Sequence, residues 1–144
     1  MLRPHSILET VLYSRDLPAM VAFYRDSLGL VLVQNWSNLG AVFRIGPGSV
    51  LLIFDPDEST EPGRSVPSHG STGPGHIALK IDDPDYDAWL EQLAEAGVAI
   101  EHEHHWDDPA RPRTGRSIYI RDPAGNSVEL ITADIWPDLP ELPL

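Results

Sequence analysis

Gly75-His76-Ile77-Ala78-Leu79-Lys80-Ile81, followed by Asp83-Pro84, decides how this chain is read, because an earlier stretch follows the same plan. Ile7-Leu8-Glu9-Thr10-Val11-Leu12-Tyr13 is again an apolar strand pattern, and Asp16-Leu17-Pro18 again supplies a helix N-cap with proline in the first turn. Seven residues separate Glu9 from Asp16, and seven separate His76 from Asp83. Gly29 and Gly97 stand where a C′ glycine ends a helix, 13 and 14 residues beyond those caps. Self-similarity of this kind marks a duplicated supersecondary unit.

The rest of each copy follows suit. Tyr86, Trp89, Leu90 and Leu93 form an apolar helix stripe, and Met20, Phe23, Tyr24 and Leu28 form its counterpart. A short strand follows each helix, Leu30–Gln34 and Val98–His102. A hairpin closes each copy: Ala41–Ile45 with Ser49–Phe54 around Gly46-Pro47-Gly48, and Ser117–Arg121 with Ser127–Thr132 around Asp122-Pro123-Ala124-Gly125-Asn126. The reading is an α+β fold with two βαβββ modules per chain, forming half-barrels around a cavity. Module 1 covers about 7–55 and module 2 about 75–132. Residues 56–74, rich in Pro, Gly, Ser and acids, are expected to be a linker or lid, and 133–144 a C-terminal tail. The second module carries a longer loop at Trp106–Gly115.

Composition removes several function classes. With 144 residues and 42% hydrophobic content the chain suits one domain with a core. A net charge of −12, with Lys80 the single lysine beside nine arginines, gives no basic footprint for nucleic acid or a membrane surface. The absence of cysteine excludes disulfides, thiolate ligands and a cysteine nucleophile. No leader pattern and no long apolar run is present, so a soluble cytoplasmic protein acting on a small molecule is expected.

Strand alternation then isolates three polar side chains. Ile77, Leu79 and Ile81 share one face of their strand, leaving His76, Ala78 and Lys80 on the other. Val128 and Leu130 pack inward and leave Glu129 opposite, while Glu9 is the corresponding side chain of the first copy and its face is less cleanly assigned. If helices cover one face of each sheet, Glu9, His76 and Glu129 line the other. Two carboxylates and an imidazole converging in one cavity point to a divalent metal. Their hardness suits Mn²⁺, Fe²⁺, Zn²⁺ or Ni²⁺, with Mg²⁺ admitted.

The chain resembles the vicinal oxygen chelate superfamily, which includes glyoxalase I, extradiol dioxygenases, fosfomycin-resistance transferases and bleomycin-binding proteins. The resemblance runs from about Ile7 to Thr132. It is carried by Asp16-Leu17-Pro18 with Phe23-Tyr24-Arg25-Asp26-Ser27-Leu28-Gly29-Leu30, by Gly75-His76-Ile77-Ala78, and by Tyr119 through Arg121-Asp122-Pro123-Ala124-Gly125-Asn126-Ser127-Val128-Glu129-Leu130. It implies that Glu9, His76 and Glu129 are the metal ligands, and that two chains pair as a homodimer with sites shared between them. Two departures stand out. The first ligand place, often His, is Glu9, and the strand Ser49–Phe54 offers no fourth donor of the glyoxalase I kind beyond Ser49.

The resemblance implies a metal-assisted lyase or isomerase acting on a small substrate with vicinal oxygens through an enolate-like intermediate, with Glu9 as the catalytic base. An extradiol-type ring-cleaving dioxygenase and a non-catalytic drug-binding and resistance protein are the alternatives. Phosphonate-modifying transferases rank lower, because one lysine leaves few cations for a phosphonate. Substrate contacts are expected at Arg116 and Tyr119, and at His102 and His104, which share a strand face in the histidine tract His102–His105. His69 is expected to be an incidental linker residue, and Trp36 and Phe43 to be core or interface rather than pocket wall.

Overall fold

The computed structural model describes residues 4, 6–110, 113–133, 135 and 136, so most of the expected tail lies outside the described residues. Strands β1 (Glu9–Tyr13), β2 (Val31–Asn35), β3 (Gly40–Ile45) and β4 (Ser49–Phe54) form one sheet. Strands β5 (His76–Lys80), β6 (Ile100–Trp106), β7 (Gly115–Arg121) and β8 (Ser127–Ile131) form a second. Their orders are β1-β4-β3-β2 and β5-β8-β7-β6. In each, the first strand pairs in parallel with the last, and the remaining pairs are antiparallel. Even the irregularities match: β2 shifts register between Leu32 and Gln34, and β6 between Ile100 and His102. The chain is an α+β protein built from two βαβββ modules.

Helix α1 (Leu17–Ala22) starts where Asp16 caps it, the carboxylate accepting from the Ala19 amide at 3.0 Å. It continues as a π turn, Phe23–Ser27, before Gly29 adopts φ +70 and stops it. Its stripe buries Met20 and Tyr24 with Phe43, Leu51 and Ile53, all at 1% exposure or less. The Tyr24 hydroxyl donates to Asp122 at 2.9 Å, which fastens the hairpin tip Asp122–Gly125 to this first unit. Burial and that carboxylate together push the Tyr24 phenol far above its ordinary range.

In the second unit the helix begins later than its sequence suggests. Asp83–Asp85 is a 3₁₀ turn preceded by Asp82, and helix α3 runs over Tyr86–Glu95. Asp83 is therefore not the N-cap; its carboxylate is taken by Arg116 at 3.0 Å. Leu93, Ile118, Ile120, Val128 and Leu130 make the core here. Strand β6 also differs from expectation, because it runs through the whole histidine tract to Trp106. A short helix, α2 (Pro56–Ser59), stands inside the expected linker, its start set by the Asp55 side chain accepting from the Asp57 amide at 2.8 Å. No helix among the described residues is long and apolar enough to cross a membrane.

Candidate metal centre

The parallel pairing of β5 with β8 sets His76 opposite Ser127 and Ala78 opposite Glu129, so the imidazole and the carboxylate emerge on one face, one step apart. His76 Nε2 lies 3.4 Å from Glu129 Oε2. The other ring nitrogen, Nδ1, is 3.1 Å from the Ser127 carbonyl oxygen. A carbonyl only accepts, so Nδ1 carries a hydrogen, and Nε2 is the ring atom turned toward the carboxylate.

Glu129 is 6% exposed, and a carboxylate so enclosed needs donors. Its Oε1 accepts from the Ser117 hydroxyl at 2.6 Å and from the Tyr119 hydroxyl at 2.9 Å. Trp106 Nε1 donates to Ser117 Oγ at 2.7 Å. An indole nitrogen can only donate, so the serine hydrogen is directed onward to Glu129. Burial, and next its bond to Glu129, pushes the Tyr119 phenol up to about 12, which keeps it a donor at neutral pH. One carboxylate oxygen is thus fully used and the other faces the imidazole Nε2. Two lone-pair donors facing each other call for a cation or a proton between them. A separation of 3.4 Å is about the edge of a tetrahedron with the bond lengths of roughly 2.1 Å that divalent ions make to nitrogen and oxygen. The ring tied through its second nitrogen and the carboxylate held by hydroxyls are the outer-shell supports that metal ligands require. The pair fits a divalent ion.

His76, Glu129 and Tyr119 line a cavity of about 520 Å³ together with Trp106 and Lys80. Ser117 and Trp106 were not singled out by sequence. The signal for Ser117 was its phase with Tyr119, but Trp106 had been given to a loop. His102 and His104 lie on this same sheet face, paired with Tyr119 and Ser117. They touch residues of the cavity rather than lining it: His102 stands 6.1 Å from the Tyr119 ring and His104 4.4 Å from Trp106, centroid to centroid. Arg116 is out of phase with them. It pairs with Asp83 and lies 4.1 Å over the Tyr86 ring, on the face with Ile118 and Ile120. The guanidinium therefore sits away from the face that carries Tyr119.

Glu9 belongs to the first unit, exposed at the start of β1 and in phase with Val11 and Tyr13. These three line a separate cavity of about 850 Å³ on the first sheet. Among the described residues of one chain, no three His, Asp or Glu side chains gather closely enough to hold an ion. Trp36, expected in the core or an interface, is a wall of this first cavity, while Phe43 is buried in the core. His69 also lines it, and its Nδ1 shares a 2.8 Å hydrogen bond with the Tyr13 hydroxyl.

Residues 6–130 match the model of the Glyoxalase/Bleomycin resistance protein/Dioxygenase superfamily, and the chain belongs to that family. It is 33% identical over 124 residues to metallothiol transferase FosB of Staphylococcus epidermidis, covering 83% of this chain and 76% of that one. Lactoylglutathione lyase from Agrobacterium tumefaciens superposes with a TM-score of 0.79 at 40% identity, over 89% of this chain and 93% of that one. The fosfomycin resistance protein FosX of Mesorhizobium loti superposes with a TM-score of 0.60 at 27% identity, over 94% and 96% of the two chains. The single lysine, Lys80, lines the cavity of His76 and Glu129.

Proposed function

We propose that the chain is a divalent-metal-dependent enzyme of the vicinal oxygen chelate superfamily, acting on a small substrate that presents two adjacent oxygens. The observation behind this is the meeting of His76 Nε2 and Glu129 Oε2 at 3.4 Å, each group fixed from behind. These two would hold the ion, with Glu9 of a second copy in a homodimer as the third ligand. When bound, the ion supplies Lewis acidity that stabilises enolate-like charge on the substrate oxygens. The remaining work is done by side chains. Ser117 and Tyr119 keep Glu129 in one orientation, and Glu9, exposed at the start of β1, takes the proton next to the carbonyl. Tyr119, with His102 and His104 behind it, faces the substrate. This is lyase or isomerase chemistry, supported by the likeness to lactoylglutathione lyase.

A second reading, group transfer to a phosphonate-bearing substrate, is favoured by one observation. Lys80 lies four residues along β5 from His76 and lines the same cavity, where its ammonium suits an anionic group. The likeness to FosB and FosX points the same way.

Metal analysis of purified protein, before and after chelation, tests the shared premise; about one ion per chain, lost with the chelator, is expected. Turnover of a thiol hemithioacetal against thiol addition to fosfomycin then separates the two chemistries. A chain that takes up no divalent ion ends both.

A further inference from the structure

We propose that the cavity on the first sheet receives the non-reacting end of the substrate, and that this end is an aryl group. The inference rests on the reading of Glu9 as the residue beside the reacting oxygens, and it deepens that reading.

Glu9, Val11 and Tyr13 form a single row on β1, and all three line the cavity. A strand rises about 3.3 Å per residue, so roughly 13 Å separates the first from the last. A molecule that reacts beside Glu9 and lies along this row reaches Tyr13. The cavity measures about 850 Å³, within the range of roughly 300–1,000 Å³ that drug-sized ligands occupy and far beyond a three-carbon oxo acid.

Four aromatic rings, Tyr13, Trp36, Phe54 and His69, stand in its walls beside aliphatic side chains and Arg64. Trp36 stands 5.9 Å from Phe54 at 30°, and Phe54 meets His69 edge to face at 4.8 Å and 79°. The Tyr13 ring is 5.9 Å from His69. Flat faces and ring edges of this kind favour a planar aromatic occupant over an aliphatic one of equal size.

The far wall is built and fastened. Residues 55–70 fold back over the sheet, tied by the His69 amide to the Ser59 carbonyl at 3.1 Å and by Arg64 Nη1 to the same oxygen at 2.7 Å. The Tyr13–His69 hydrogen bond stitches this segment to β1. With Nδ1 so engaged, His69 keeps Nε2 for a polar ring substituent.

The test uses the full-length protein, both metal-loaded and chelator-treated, with phenylglyoxylate, cyclohexylglyoxylate and pyruvate as probes. Calorimetry is expected to find phenylglyoxylate at least about tenfold tighter than pyruvate, and tighter than cyclohexylglyoxylate, whether or not the ion is present. The indole N–H resonance of Trp36, assigned with Trp36→Phe, is expected to move with the aryl probe. Substituting His69→Ala is expected to shrink the aryl preference while the circular dichroism stays unchanged. Equal affinities for the phenyl and cyclohexyl probes, or binding that leaves the Trp36 resonance in place, overturn the inference. Metal uptake without aryl preference removes this inference alone, and aryl preference without metal uptake removes the catalytic reading alone.

Discussion

The two sheets share a strand order and a pair of matching register shifts, yet their cavity faces carry opposite chemistry. On the second sheet the face is polar and wired: His76 and Glu129 converge, with Ser117, Tyr119 and Trp106 supplying hydrogens in a fixed direction. On the first it is apolar and ringed: Val11, Leu52, Phe54 and Trp36 surround a single carboxylate, Glu9. Duplication kept the scaffold and divided the labour. Under the proposed function, one copy would support an ion and the other the substrate.

The division breaks most visibly at His76 and Glu129. Glu129→Gln keeps an acceptor for Ser117 and Tyr119 but removes the charge, and His76→Ala removes the lone pair. Each is expected to lower metal affinity by more than the roughly 10–100-fold typical of outer-shell substitutions. His69→Ala, in the first cavity, is expected to leave metal uptake at the wild-type level. Competition with a chromogenic chelator measures all three. Equal losses would mean that the two faces do not divide the work.

Glu9→Gln sharpens the comparison, since Glu9 is the carboxylate that lines the first cavity. Turnover is expected to fall about 10²–10⁴-fold, the range that a positioned acid–base group supplies, with an ion still bound. Full turnover with metal retained would falsify the role of Glu9 as base.

How much of this was legible beforehand depends on locality. The order of strands and helices could be read because each rests on a local pattern, such as the Met20–Leu28 stripe or the Gly29 stop. The His76–Glu129 meeting was legible in part, since alternation put each on the correct face but gave no register to bring them within reach. Asp55-Pro56 followed by Asp57 and Glu58 is a helix start that was read as linker, because acids and prolines also make loops. The strand expected at Val98–His102 runs on through the histidine tract to Trp106, an extension that pairing with β7 decides. Arg116 was named for the substrate, although its own phase against Ser117 and Tyr119 puts it on the helix side. Nothing local announces His69, whose place depends on a 55–70 segment folding upon itself.

The outer shell of the polar face gives a smaller and pH-dependent effect. A phenol ordinarily ionises near 10, and Tyr119 is pushed up to about 12 by burial and by Glu129. The folded state therefore keeps a proton that the unfolded chain gives up. The stabilisation is complete below about pH 10 and drains away as the pH rises toward 12. Tyr119→Phe is expected to weaken metal binding about 10–100-fold and to flatten the alkaline loss of stability, read from denaturant melts between those pH values. Tyr86, also pushed up to about 12 by burial and by Glu103, retains its own share of that loss in the variant.

The smallest effect is expected on the other side of the second sheet, where Arg116 and Asp83 meet. The Asp83 side chain is 63% exposed, and ion pairs with that much solvent contribute at most about 1 kcal/mol. Asp83→Asn should therefore cost little in a denaturant melt and leave both metal affinity and KM unchanged. Arg116→Ala should cost somewhat more, since the guanidinium also covers the Tyr86 ring at 4.1 Å. A raised KM in Asp83→Asn at unchanged stability would mean that Arg116 answers to the substrate after all. In that case the polar chemistry of this module would extend through the sheet to its helix side, and the two faces would have to be assigned anew.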